Sequence, residues 1–307
     1  MDWRVKGLVQ GVLSWLPGGM QVNDLLQRAF GERGNTAALV DSKLQEDWLV
    51  HMGNLDRLGF RVAGRHVFEF GTGWLPVMPL SFALAGVERC TTVDLNRHLR
   101  PSAVTLTLSH LERHLDAIAT AAGLPRAEVA DRWLAWKREA DGAAVMRAAR
   151  IDYRAPADGT RSGLPDASVG LIFSNSVLEH VPDPVIDALM VETRRILEPG
   201  GLALHGVNCG DHYAYFDRGI TPIHYLRFTK REWRFWNNGL LYQNRLRPRD
   251  FVEAARRAGL EVVLDVHRPK AELLARLHEL PIAPEFRHYP ADEICTTSID
   301  FAARRAG

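Results

Sequence analysis

The stretch from Val67 to Asp94 reads as strand, glycine turn, helix and strand, and it ends in an acid. Val67, Phe68 and Phe70 form a short apolar run that Gly71 and Gly73 break. Leu80 to Ala85 is helical in character, and Thr91 to Leu95 is a second strand. A glycine turn after a first strand lets backbone approach a ligand where a Cβ would clash. An acid about 20 residues further on, at the tip of strand two, suits the pair of hydroxyls on a ribose. Asp94 lies 23 residues after Gly71, so a ribose-bearing ligand is expected.

Missing residues narrow the choice of ligand. A dinucleotide fingerprint would carry its third glycine where this chain has Pro76, and no P-loop lysine follows. An acid two residues before the first glycine, Glu69, could accept hydrogen bonds from an ammonium group. Glu69, Gly71 and Gly73 with Asp94 resemble the first two motifs of class I S-adenosylmethionine-dependent methyltransferases. A second segment, Asp158 to Gly201, resembles the small-molecule branch of that family. It carries Asp158, then Pro165-Asp166-Ala167-Ser168 before a strand, then Leu178-Glu179-His180-Val181, a helix, and Leu197-Glu198-Pro199-Gly200-Gly201. The resemblance covers residues 60 to 207, about half the chain. It departs at Leu75, where many members have a third glycine, and at Val169-Gly170, where an aromatic-acid pair is common.

The chain has 307 residues, 46 % of them hydrophobic, enough for one elaborated domain or a domain with a cap. A net charge of +1 supplies no global field to recruit nucleic acid or membrane. Cys90, Cys209 and Cys295 are odd in number and far apart; they suggest neither a disulfide framework nor a metal site, and a cytoplasmic location is expected. No apolar run reaches the roughly 18 residues that span a bilayer. The start of the chain does not read as a signal peptide.

Residues 1–62 read as a helical segment and 63–307 as the catalytic domain. Leu8, Val9, Val12, Leu13 and Leu16 form a stripe that ends at Pro17-Gly18-Gly19. The plain expectation is a helix docked on the core; the sharper one is peripheral membrane contact, with Trp3, Arg4, Lys6 and Trp15 as anchors. Leu44 to Leu58 is a second helix. Two excursions follow, a helical insertion at 96–150 and a substrate lid at 208–247. The resemblance implies a Rossmann-like, seven-stranded, mostly parallel sheet whose last strand is antiparallel, and strands at Ile151–Ala155, Val169–Ser174, Leu202–Val207, Leu260–Val266 and Ile294–Ala302 complete that count.

The same resemblance implies S-adenosylmethionine as cofactor and assigns its contacts. Glu69 and the turn Gly71-Thr72-Gly73 would face the methionine moiety, Asp94 the ribose and Asp158 the adenine, with Ser174 and Asn175 at the end of strand four. Methyl transfer from a sulfonium needs a general base only when the nucleophile holds its proton tightly. His180 and His212 are the candidate bases. No metal ligand set is expected. The 208–247 excursion interleaves seven cations with aromatics against three acids, which suits an anionic or ring-bearing acceptor. Arg245 and Arg247, in a strand-like R-L-R, and Tyr213 are the expected acceptor contacts. Strand four ends in S-N-S rather than the N/D-P-P-Y of many enzymes that methylate amide or exocyclic nitrogens, so O-methylation of a small-molecule or glycan-type acceptor is the first expectation, with N- and C-methylation of small metabolites behind it. The rivals are a nucleic-acid methyltransferase, a non-catalytic cofactor-binding subunit and, most distantly, a dehydrogenase, against which Pro76 argues.

Overall fold

The computed structural model describes residues 2–16, 36–240 and 242–306. Its centre is one sheet of seven strands: β1 (His66–Phe70), β2 (Arg89–Val93), β3 (Ile151–Arg154), β4 (Val169–Asn175), β5 (Leu197–Asn208), β6 (Glu261–Pro269) and β7 (Thr296–Arg304). They lie in the order β3-β2-β1-β4-β5-β7-β6. The pairs from β3 across to β5 are parallel, and β7 runs antiparallel between β5 and β6. The sheet is therefore the expected Rossmann-like one, with the last strand inserted and reversed.

All of β1 is buried, because helices cover both faces of the sheet. Successive side chains feed opposite cores. Val67 packs with Phe173, Leu204 and the helices before and after β1. Phe68 packs with Ile172, Ala203 and the helices Asp183–Ile196 and Pro248–Arg257. Strand order reverses between β1 and β4. The chain first winds outward to β2 and β3 and then returns to the other side of β1. That reversal opens a crevice at the carboxyl ends of β1 and β4, where open α/β sheets bind ligands.

The 96–150 insertion folds as helices Pro101–Leu111, Leu115–Ala122, Arg126–Lys137 and Gly142–Ala148, and its apolar residues join the first core. Before β1 the chain runs through Thr36–Ser42, a π-helical turn Lys43–Trp48 and Leu49–Arg57. The predicted helix over 44–58 is thus present, but its first part is wound more widely.

Two expectations are corrected here. The N-terminal helix Trp3–Trp15 does not dock through its apolar stripe. Leu8, Val9, Val12 and Leu16 are exposed, whereas Trp3, Lys6 and Gln10 are buried. The reason is a better partner on the other face. The Trp3 indole sits among the rings of Tyr213, His224, Phe228 and Trp236, at centroid distances of 5.7, 4.9, 5.7 and 4.6 Å. Trp3 and Lys6 therefore cannot serve as surface anchors. The Trp15 side chain and the predicted stop at Pro17-Gly18-Gly19 lie outside the described residues.

The second correction concerns the aromatics of the 208–247 excursion. They do not line a cavity as a set. Tyr213, Tyr225 and Trp233 form a third small core with Trp3, Leu273, Phe286 and Ile294. This core seats the excursion and the N-terminal helix together over the β5 end of the sheet.

Candidate active site

The turn after β1 is built from two glycines with φ of +80° at Gly71 and +68° at Gly73, a region that disfavours a side chain. At Gly71 a Cβ would also meet Val177 Cγ2 at 2.4 Å. Val177 reaches that position because the chain turns sharply at Ser176, whose φ is +53°. The glycine turn and the segment after β4 are thereby pressed against one another across the switch point.

Asp94 ends β2 and is held rather than loose. Its carboxylate accepts from Gly73 N at 3.1 and 3.3 Å and from the Tyr153 hydroxyl at 3.0 Å. The Tyr153 oxygen in turn accepts from the amides of His98 and Leu99. Burial pushes the Asp94 carboxyl above its ordinary range, against these hydrogen bonds. Leu95, the next residue, is 75 % exposed at the strand tip. Beside them a cleft of ≈ 300 Å³ is lined by Trp74, Leu75, His98, Ala103 and Leu106 among others.

Glu69 is buried, and its Oε2 accepts from the Thr92 hydroxyl at 2.5 Å; the Thr92 and Thr72 hydroxyls are also bonded. Burial raises its pKa to about 8, more than Thr92 lowers it. Lys43 and Asp47, on the π-helical turn, stand over this end of the sheet. Lys43 acts electrostatically on both Glu69 and Glu179, and Asp47 bonds Asn175. Sequence reasoning missed both. A widened turn at a functional edge is a recurrent feature, but no motif announces it. Tyr153 and Thr92 were missed as well. Only strand register, which aligns Thr92 with Glu69 and Tyr153, places them.

Other expected contacts are placed differently. Asp158 caps its own turn, accepting from Thr160 N at 2.9 Å and Thr160 Oγ1 at 2.7 Å. The Ser174 side chain points inward and bonds His205 Nδ1 at 2.8 Å, while Asn175 faces Asp47 and Ser176. Tyr213, 2 % exposed, donates its hydroxyl to Trp236 O and belongs to the third core, which corrects its assignment to the acceptor. Arg247 is corrected too. It is 0 % exposed, and its guanidinium donates to the carbonyls of Cys209, Glu293 and Thr296. R-L-R is not a strand here, and its two arginines diverge. Arg245 donates to Glu285 Oε1 at 2.7 Å and to the Tyr225 and Phe228 carbonyls. It lines a groove of ≈ 440 Å³ with Lys230, Arg234, Asp183 and Glu285, a nearly balanced set of charges.

The two candidate bases do come together. His180 and His212 have ring centroids 5.1 Å apart at 61°. His180 Nδ1 donates to Tyr242 O at 2.7 Å. Burial lowers the His212 pKa to about 3, with the charges of His180 and Lys6 adding to it. A neutral imidazole of that kind is a weak base for a hydroxyl proton.

The sheet order and the glycine–acid crevice agree with the sequence-level match to a family. Residues 40–265 match the model described as a methyltransferase domain. The chain belongs to this methyltransferase family. It is an S-adenosylmethionine-dependent methyltransferase, and the crevice fits that cofactor: a turn that excludes side chains, a held acid at the tip of β2 and an exposed apolar residue beside it. The sulfonium of the cofactor supplies an already reactive methyl group, so the protein chiefly binds, aligns and excludes water.

Solved structures with this fold include an S-adenosylmethionine-dependent methyltransferase from Mesorhizobium loti, at 18 % identity over 82 % of this chain and 96 % of that one, TM-score 0.45. Geranyl diphosphate C-methyltransferase from Streptomyces coelicolor A3(2) is similar at 12 % identity over 89 % and 84 %, TM-score 0.46. Phosphoethanolamine N-methyltransferase 2 of Haemonchus contortus is similar at 14 % identity over 85 % of this chain and 54 % of that one, TM-score 0.43. No curated protein matches this chain in sequence. Among the described residues, no helix is long and apolar enough to cross a membrane.

Proposed function

We propose that this protein methylates an oxygen atom of a small-molecule acceptor bound between the ends of β4 and β5 and the 208–247 excursion. The observation that carries this reading is the placement of His180 and His212. They project from the turns that follow β4 and β5, the first of them three residues beyond the Val177 that touches the glycine turn. The excursion and the N-terminal helix close over this region through their shared aromatic core, which favours a compact acceptor over a nucleic-acid strand. Glu69 would receive the ammonium of the cofactor and Asp94 its ribose. Asp158 would approach the adenine through its exposed edge. Lys230, Arg234 and Arg245 would steer an acceptor with a negative group toward the groove they line.

The test is transfer of labelled methyl from S-adenosylmethionine to a panel of phenols, carboxylates, sugar hydroxyls and amines, beside a structured RNA. Methylation confined to small hydroxyl or carboxyl acceptors is the expected result. A methylated amine or a labelled RNA would replace this reading. Binding of S-adenosylhomocysteine with no transfer to any acceptor would favour a non-catalytic subunit.

A further inference from the structure

The turn Leu178–His180 follows β4, and the turn His212–Tyr215 follows β5. Together they bring Glu179, His180 and His212 so close that one ligand atom from each lies within 4.8 Å of the other two. Proximity alone would carry little. The state of the polar atoms says more. Glu179 is 1 % exposed, and its carboxylate meets the backbone amides of Glu179 and Asn208. His212 is 8 % exposed, and its Nε2 is without a partner. Buried polar atoms are almost always paired, so the orphaned His212 Nε2 beside a buried carboxylate and a second imidazole calls for a missing partner.

His180 supplies the third direction. Its Nδ1 donates to the Tyr242 carbonyl, which fixes the ring and leaves Nε2 with a lone pair. A carbonyl behind an imidazole is the usual support for a metal-ligating histidine. His180 is also the exposed member of the three, so the cluster has a side open to solvent. Lys6 is the neighbour that opposes a cation. It is desolvated against the Phe216 ring, and its charge reaches His212.

We propose that Glu179, His180 and His212 form a divalent-cation site. One carboxylate and two imidazoles suit Mn²⁺, Fe²⁺, Co²⁺ or Zn²⁺ better than Ca²⁺, and leave coordination positions open. The open positions would take an oxygen of the acceptor and make its proton easier to lose, a task for which His212 alone is a weak base. Binding of the cation stands on these three side chains; only its use on an acceptor oxygen rests on the O-methylation reading.

The experiment titrates the chelator-treated, dialysed full chain with MnCl₂ and CoCl₂. Free Mn²⁺ is followed by electron paramagnetic resonance and Co²⁺ by its visible spectrum, with no cofactor or acceptor present. Saturable binding at a single site is expected. Glu179→Gln, His180→Ala and His212→Ala should each weaken it by at least about tenfold, whereas His278→Ala, at an exposed histidine elsewhere, should not. Circular dichroism and S-adenosylhomocysteine binding report whether each variant is folded. His180→Ala keeps the test alive if the buried variants are not, because His180 is exposed. No saturable binding of either metal to the wild type up to millimolar concentration would overturn the site, as would folded His180→Ala binding as tightly as wild type. Loss of S-adenosylhomocysteine binding in a wild type that still binds metal would instead count against the cofactor crevice.

Discussion

At the residue scale, Asp94 and Arg247 show how differently two charged side chains can be held. Asp94 is braced by Gly73 N and Tyr153 yet stays at the crevice, next to exposed Leu95. Asp94→Ala should weaken S-adenosylhomocysteine binding by about 1.5–3 kcal/mol, the range for hydrogen bonds to a charged group. The far-ultraviolet spectrum should be unchanged. An unchanged dissociation constant in calorimetry would move the ribose contact elsewhere. Arg247 holds together the carbonyls of two chain segments, Cys209 after β5 and Glu293 to Thr296 before β7. Arg247→Ala should therefore act on stability, at about 1–3 kcal/mol for each buried carbonyl left unpaired. Thermal denaturation checks this; a variant of wild-type stability with altered acceptor KM would restore the binding role.

Glu69 yields a prediction about protons at the same scale. With a pKa of about 8 in the free protein, it is mostly protonated at pH 7. Arrival of the cofactor's ammonium would favour its ionised form, so binding should release a proton to the buffer. The calorimetric enthalpy at pH 7 should then depend on the buffer's ionisation enthalpy. Glu69→Gln should abolish that dependence. A buffer-independent enthalpy in the wild type would show that Glu69 does not meet the ammonium.

At the scale of elements, the N-terminal helix and the 208–247 excursion behave as one unit, because Trp3 is the centre of the excursion's aromatic cluster. Gly7 allows the contact: a Cβ there would come within 3.1 Å of both Trp236 and the Tyr213 hydroxyl. Trp3→Ala should cost about 3–5 kcal/mol of local packing. The loss should loosen the excursion while the β1–β2 crevice stays intact. Hydrogen exchange should speed up in 208–247 and not in 66–94, and S-adenosylhomocysteine affinity should stay within about twofold, below the tenfold that 1.4 kcal/mol would produce. Uniformly faster exchange would mean the helix stabilises the whole domain instead.

At the scale of the molecule, buried titrating groups shape stability across pH. Burial lowers His51 to about 4 and His205 to about 3, from an ordinary value of 6.5. Depressed histidines contribute stability that is full above pH 6.5 and lost as pH falls toward 4 and 3. Glu69 is raised from 4.5 to about 8, so its contribution is full below 4.5 and lost as pH rises to 8. The cofactor-free protein should thus be most stable near pH 6.5, where the two histidine contributions become full, and weaken on both sides. Glu69→Gln should remove part of the alkaline decline. Melting temperatures from pH 4 to 9 test this, and an alkaline limb identical in the variant would exclude Glu69 as its source.

The resemblance to the methyltransferase family implied the seven-stranded sheet and its reversed last strand; the sequence by itself determined the strands, the glycine turn and Asp94. Each depends on local chemistry repeated in order along the chain: apolar runs for strands, glycine for positive φ, an acid at a strand tip. It also singled out His180 and His212, although 31 residues separate the turns that carry them. Tertiary structure decided the rest. Which face of the N-terminal helix is buried depended on an aromatic pocket more than 200 residues away, at Tyr213, His224, Phe228 and Trp236. Seven cations in one excursion looked like a binding surface, but Arg247 turned inward because carbonyls from two distant segments converge on it. Glu179, Lys43 and Tyr153 became visible only when strand ends and helices were brought together. A side chain's partners are set by distance in space, and spacing along the chain predicts them only within a strand, a turn or a helix.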